Sequence, residues 1–308
     1  MNWRLKGIAQ KLLGFTPGGE ALHFHLQRHL GGLRDFPGEC RSKVQDWAIM
    51  MGHLQGAGFN CPGSRVVEVG TGWYPTFPFC FYLSGIDKVF SYDLNRHLRR
   101  ELTVACAALL AQDLETIATL AGRPLEDVRR SHQRLVASLG TSEGFESTTG
   151  TVQYLAPADA ARTDLPAGSV DLVFSNSVLE HVQTEALAPL LRETRRILKP
   201  GGLMFHSVNC GDHYAYVDPS INQLNYLRYS ERSWRKWNNR FLHQNRLRAV
   251  DFIRSAEQCG FRIEVNTARP NEKTLAELAT VPIETSFRQA YTPDELCITS
   301  IDFVARKA

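Results

Sequence analysis

Glu68-Val69-Gly70-Thr71-Gly72 stands at the end of an apolar, β-branched run that begins at Arg65. Glycines in such a place let the main chain approach a ligand closely and turn into a helix whose first amides face it. Glu68 sets a carboxylate at the mouth of this turn, which disfavours phosphates and suits a ligand carrying positive charge and amine groups. A dinucleotide fingerprint would need a third glycine at position 75, where Pro75 follows Trp73 and Tyr74, so diphosphate binding is not expected. Asp93 closes a second run, Lys88-Val89-Phe90-Ser91-Tyr92, at the spacing where an acid in such sheets holds a ribose diol. It could equally cap a turn before Asn95.

The elements that must position these residues are legible as alternating patterns. Short apolar runs bounded by glycine or polar residues predict strands at 65–70, 88–93, 151–155, 170–175 and 202–208, with later ones at 261–265 and near 297–304. Between the fourth and fifth lies a helix with Thr184 as its expected N-cap, stopped by Lys199-Pro200-Gly201-Gly202. Residues 95–139 keep helical spacing through Leu98, Leu102, Ala105 and Leu109, restarting at Pro124, and are longer than one crossover requires. A helix is expected at 41–54 and another at 247–259, whereas 209–250 lack sheet periodicity. Strands alternating with helices predict an α/β fold with a doubly wound, mostly parallel sheet. An N-terminal helical cap (1–60) would precede the main domain (61–308), with insertions at about 95–150 and 209–250.

Composition excludes several classes. The 308 residues are 43% hydrophobic and 22% charged, as in soluble globular chains and unlike disordered or fibrous ones. A net charge of +3 leaves any basic surface local. Seven scattered cysteines without a CxxC pair indicate neither a zinc pattern nor a disulfide framework. The first apolar stretch is too short and interrupted for a signal segment or a membrane span, so a cytoplasmic location is expected.

Together these residues resemble the class I S-adenosylmethionine-dependent methyltransferases of small molecules. The resemblance rests on Val66 to Gly72, on Asp93, on the stretch from Asp159 to Asp171, on Leu172 to Val182 (Leu-Val-Phe-Ser-Asn-Ser-Val-Leu-Glu-His-Val) and on Leu198-Lys199-Pro200-Gly201-Gly202. It implies a Rossmann-like seven-stranded sheet with S-adenosylmethionine as cofactor. By position, Gly70, Thr71 and Gly72 would lie against the methionine part, with Glu68 near its amino group directly or through water. Asp93 would hold the ribose hydroxyls, Asp159 would face the adenine, and Ser175 and Asn176 would touch the cofactor. Two departures stand out: Trp73-Tyr74-Pro75 replaces the last glycine of the loop, and the insertion after Asp93 is large.

The implied reaction is attack by an acceptor nucleophile on the methyl carbon of a sulfonium, a step driven largely by alignment and exclusion of water. A hydroxyl acceptor would gain from a general base. His213 with the adjacent Asp212, and His181, are the candidates, because ligands in open α/β sheets bind beyond the carboxyl ends of the strands; His213 could equally only hold a loop. Residues 225–248 carry Arg228, Arg232, Arg235, Lys236, Arg240, Arg246 and Arg248 against Glu231, interleaved with Tyr226, Tyr229, Trp234, Trp237 and Phe241. This segment could be a lid over an anionic acceptor, a stacking surface for single-stranded nucleic acid, or an amphipathic helix with its aromatics inward. On the first reading Tyr74, Arg228, Trp234 and Arg246 line the acceptor pocket. His23, His25 and His29 read as surface or cap residues, and no metal requirement is visible. The function expected is methyl transfer to a small molecule, an anionic one on the lid reading of residues 225–248. An RNA methyltransferase and a non-catalytic cofactor-binding scaffold are the alternatives.

Overall fold

The computed structural model describes residues 2–141, 147–148, 150–239 and 241–308; Arg240 of the basic segment lies outside them. Eight strands form one sheet: β1 (Arg65–Val69), β2 (Lys88–Tyr92), β3 (Ser147–Thr148), β4 (Val152–Leu155), β5 (Val170–Asn176), β6 (Leu198–Asn209), β7 (Phe261–Asn266) and β8 (Ser300–Lys307), in the order β3-β4-β2-β1-β5-β6-β8-β7. The expected seven strands are all present, and β3 adds a two-residue antiparallel edge. β4, β2, β1, β5 and β6 run parallel, and β8 is antiparallel to both its neighbours. The chain winds outward from β1 to β2 and β4, then returns to β5 on the other side. A crevice therefore opens at the carboxyl ends of β1 and β5, the place where ligands bind in such sheets.

The strands are near-continuous apolar runs because both faces are covered. Alternate residues of one strand enter opposite cores. Val66, Leu172, Phe174 and Phe205 face one way, and Val67, Val173, Met204 and Phe303 the other. The N-terminal helices are α1 (Trp3–Phe15), α2 (Gly19–Leu30) and α3 (Phe36–Gly56), the last longer than its 41–54 apolar pattern. On the first face α3 joins α4 (Thr76–Leu83), α5 (Arg100–Leu109), α6 (Leu114–Ala121) and α7 (Leu125–Thr141). The second face is covered by α8 (Thr184–Ile197) and, after the one-turn α9 (Glu231–Trp234), by α10 (Ala249–Gln258). Thr184 is the first residue of α8 rather than its cap, which is Gln183. Three short helices, α11 (Glu272–Glu277), α12 (Thr285–Ala290) and α13 (Pro293–Cys297), lead into β8.

A third core is largely aromatic. Trp3 of α1 packs against Tyr214, Tyr229, Trp234 and Trp237, and its backbone N–H donates to Asp218 at 2.9 Å. Leu278, Val281 and Leu296 close this cluster from the far side. The basic segment thus folds as turns and one-turn helices, not as an amphipathic helix, with its aromatics inward. All seven cysteines are free, and six are buried. Among the described residues no single helix is long and apolar enough to cross a membrane.

Within α1 only Trp3, Gly7 and Gln10 are buried, so Trp3 is the chief anchor of this helix. Replacing Trp3 by Ala removes a large buried ring, a change that typically costs about 3–5 kcal/mol. The loss should appear as local opening. Hydrogen exchange and proteolysis over residues 2–30 should accelerate strongly, while the denaturant midpoint of the main sheet shifts little.

Candidate functional site

The glycine turn is built on two different constraints. Gly70 has φ of +81°, and a Cβ there would stand 2.5 Å from Val178 Cγ2. Gly72 has φ of +74°, but nothing lies within 4 Å of where its Cβ would be. The first glycine lets the loop pack against the residues after β5; the second keeps the main chain bare toward the crevice. Below the loop, Glu68 is buried and accepts from the Ser91 hydroxyl, which pairs in turn with Thr71. Burial raises the Glu68 carboxyl above its usual range. Glu68 thus holds the Ser91 hydroxyl, and through it Thr71, beneath the turn.

Asp93 is the meeting point of three chain segments. Its Oδ2 accepts from the Gly72 N–H at 3.1 Å and from the Tyr154 hydroxyl at 2.9 Å, while Tyr154 itself accepts from the His97 N–H at 3.0 Å. Burial pushes the Asp93 carboxyl up to about 7, with the Tyr154 hydrogen bond pulling the other way. Tyr154 had no sequence signal beyond alternation in a strand, and only the parallel pairing of β4 with β2 brings it here. Asp159 is exposed, with Oδ1 accepting from Ala161 N–H at 2.8 Å. The preceding residue, Ala158, donates its N–H to the Asp93 carbonyl at 2.8 Å, which keeps this loop beside the end of β2.

A cleft of about 510 Å³ opens over the turn, lined by Gly72, Trp73, Tyr74, Asn95, Arg96, His97 and His181. Its roof comes from the N-terminal helices and a distant loop, through Glu20, His23, Glu39, Lys43 and Phe241. His23 stacks on Phe241 with ring centroids 4.2 Å apart, so His23 belongs to the roof rather than to an unengaged surface. Lys43 Nζ sits 4.6 Å from the centre of the Tyr74 ring, and the Arg99 guanidinium 4.7 Å from that of Phe24.

Several expected site residues are elsewhere. Ser175 is fully buried and pairs with His206 Nδ1 at 2.7 Å, inside the sheet. Asn176 donates to Asp46 and lines a separate cleft of about 270 Å³ near the end of β6. Asp212 is no proton relay: its oxygens accept from Tyr214 N–H and Asn225 Nδ2, both at 2.8 Å, so it caps a turn. Trp234 is 1% exposed within the aromatic core. Arg246 is also buried, bonded to the Tyr226 and Tyr229 carbonyls and paired with Glu231. Arg228 is exposed and lines neither cleft. His181 and His213 do come together, with ring centroids 5.0 Å apart, and Glu180 lies beside them.

The methyltransferase-domain family model matches residues 122–206, from the end of α6 through β4, β5 and α8 into β6. A search of curated proteins finds no match. Among solved structures, the chain is similar to an S-adenosylmethionine-dependent methyltransferase from Mesorhizobium loti, at 16% identity and TM-score 0.40, covering 82% of this chain and 95% of that one. Another from Methanosarcina mazei has 13% identity and TM-score 0.43, over 80% and 92%. Geranyl diphosphate C-methyltransferase from Streptomyces coelicolor has 16% identity and TM-score 0.46, over 87% and 81%.

Residues 122–206 thus match a methyltransferase domain, and the strand order with its glycine turn at the switch point is that of a Rossmann-like fold. The cofactor that the sequence resemblance implies is S-adenosylmethionine. The residues present suit that group, since open space at Gly72 adjoins the buried carboxylate of Asp93.

The two glycines should separate stability from binding. Gly70→Ala combines left-handed strain with a clash and should destabilise the fold by about 2–4 kcal/mol. Gly72→Ala should cost only about 1–2 kcal/mol of strain yet weaken cofactor binding more than tenfold. Urea unfolding and calorimetric titration on the same samples read both effects.

Proposed function

We propose that this enzyme methylates a small molecule held in the cleft between the Trp73-Tyr74 turn and the roof formed by α2, α3 and Phe241. The observation that carries this reading is the size of that cleft, about 510 Å³, beside the glycine turn, with aromatic walls at Trp73, Tyr74 and Phe241 and both signs of charge among its lining residues. Within the basic segment Tyr226 and Trp234 are in the interior and Arg246 and Arg248 are taken up by main-chain carbonyls, so these four residues offer RNA no stacking surface. An anionic acceptor would have to meet Lys43, Arg96 or Arg99 instead.

When bound, S-adenosylmethionine supplies a methyl group on a positively charged sulfur. In our reading the chain contributes four things. The bare turn at Gly70-Thr71-Gly72 receives the methionine part, and Asp93 accepts from the ribose hydroxyls. Trp73, Tyr74 and the roof exclude water. His181, at the wall of the cleft, is placed to take a proton from an acceptor. Burial lowers its pKa, so the ring is neutral and can accept one at neutral pH.

Ribose hydroxyls donate to the ionised form of Asp93. Cofactor affinity should therefore rise as pH increases through about 7, where burial has moved this carboxyl, and level off above. Asp93→Asn should abolish the step and weaken binding by about 1–3 kcal/mol. Tyr154→Phe removes a donor that favours the ionised form, so the midpoint should move to higher pH. Calorimetry between about pH 5.5 and 8.5 measures all three.

The acceptor class is tested by incubating the enzyme with methyl-labelled cofactor and panels of phenols, carboxylic acids, amines and total RNA, with S-adenosylhomocysteine quantified. Turnover is expected with a small molecule. Turnover on RNA alone, with affinity that falls steeply as salt rises, would overturn the reading.

A further inference from the structure

Glu180 and His213 are far apart in sequence, and the structure leaves them facing one another without partners. Glu180 is 1% exposed, yet neither carboxylate oxygen has a hydrogen-bond partner; buried His213 Nε2 has none either. The two groups approach to 4.0 Å, too far for a hydrogen bond. Side-chain ligand atoms of Glu180, His181 and His213 all lie within 4.8 Å of one another. Burying a carboxylate without a well-formed hydrogen bond is expensive.

The supports of this cluster are more ordered than its centre. A single segment, 243–245, holds all three residues. The His243 carbonyl lies 2.6 Å from His181 Nδ1, which places the ring proton there and leaves Nε2 as an acceptor. Gln244 Oε1 receives the His213 N–H at 3.1 Å. Asn245 donates its N–H to the Glu180 carbonyl and its side-chain amide to the Leu179 and Val182 carbonyls, at 2.7–2.8 Å. One of these bonds fixes the His181 ring itself, as the outer partner of a metal-ligating histidine does, and the others fix the main chain that carries Glu180 and His213.

We infer that Glu180, His181 and His213 bind a divalent transition-metal ion. One carboxylate with two neutral imidazoles suits Zn²⁺, Co²⁺, Fe²⁺ or Mn²⁺ better than Mg²⁺, which prefers oxygen ligands and keeps its waters. Ligand bonds of about 2.0–2.2 Å place neighbouring ligand atoms roughly 3.0–3.5 Å apart, so closing the 4.0 Å gap needs only small side-chain rotations. Three protein ligands leave coordination positions open. Because His181 also lines the 510 Å³ cleft, an open position there would take an oxygen of the acceptor; this role, unlike the site itself, rests on the proposed function.

The test is a titration of untagged, chelator-dialysed full-length protein with Co²⁺, read by its visible d–d absorption. One saturating equivalent is expected, displaced by Zn²⁺ and not by equal Mg²⁺. Glu180→Gln and His213→Ala should each weaken binding at least ~10²-fold, whereas His25→Ala/His29→Ala should not. Calorimetric binding of S-adenosylmethionine by each variant shows that it is folded and reports on the cofactor site separately. Absence of saturable absorption, equal competition by Mg²⁺, or unchanged Co²⁺ affinity in Glu180→Gln and His213→Ala would overturn the assignment. So would loss of binding in the His25/His29 variant alone.

Discussion

A buried carboxylate shared by three chain segments organises the carboxyl end of the sheet. Asp93 ends β2, takes the Gly72 amide from the turn after β1 and takes the Tyr154 hydroxyl from β4. Tyr154 then receives the amide of His97, so the strand order β4-β2-β1 is reproduced in a hydrogen-bond chain at the strands' carboxyl ends. Such an acid is hard to replace, because a neutral isostere keeps the shape but reverses part of the donor and acceptor pattern. Its raised pKa follows from the same burial that makes its hydrogen bonds count.

The roof of the cleft depends on packing remote from it. α1 contributes little apolar surface apart from Trp3, yet that ring enters a core whose other members come from 214–237 and 278–297. α2 and the roof residue His23 follow in the chain, and His23 rests on Phe241, from the same loop system that supplies Trp234 and Trp237. The two ends of the molecule are joined by aromatic contacts, and the 510 Å³ cleft lies beside the joint. This explains why a segment so rich in arginine shows little of it to the cleft. Arg246 and Arg248 bind carbonyls of turns that lack regular ladders, and so satisfy main-chain acceptors that loops would otherwise leave buried and unpaired.

Most of the sheet was legible because a two-sided buried strand has a simple signature. Val66, Val67 and Val69 are apolar on both faces, and the two cores of the structure show why. The turn was equally readable, since Gly70 and Gly72 have backbone angles that other residues adopt with strain. The acceptor side was not. Ser175 and Asn176 alternate across β5, so neither lies along the cleft, and the alternation alone could not tell which way each pointed. Trp234 and Arg246 looked like ligand-binding residues by type, and their use in the interior depends on contacts to Trp3 and Glu231 that no local pattern announces. Tyr154 and Glu180 were passed over for the opposite reason: each sits in an ordinary strand or turn pattern and acquires meaning only from a partner at least thirty residues away. Helices α11 to α13 are each a turn or two long, below the length at which periodicity can be read.

The buried acids of the protein sort by what their oxygens touch. Glu68 has Ser91, Asp93 has Gly72 and Tyr154, Asp212 has Tyr214 and Asn225, and Asp218 has Trp3 and Ser220. Each of these supplies acceptors where the chain would otherwise leave donors unmet, so a structural role accounts for it in full. Glu180 is also buried, and neither of its oxygens has a well-formed hydrogen bond among the described residues; only the backbone amides of Glu180 and Asn209 act on it. Its nearest polar neighbour is a histidine that burial keeps neutral, with a pKa lowered to about 3, so an ion pair with His213 does not compensate it. Asn245 clamps the turn that carries Glu180, so its poorly satisfied carboxylate is held where the metal ion inferred above would meet it.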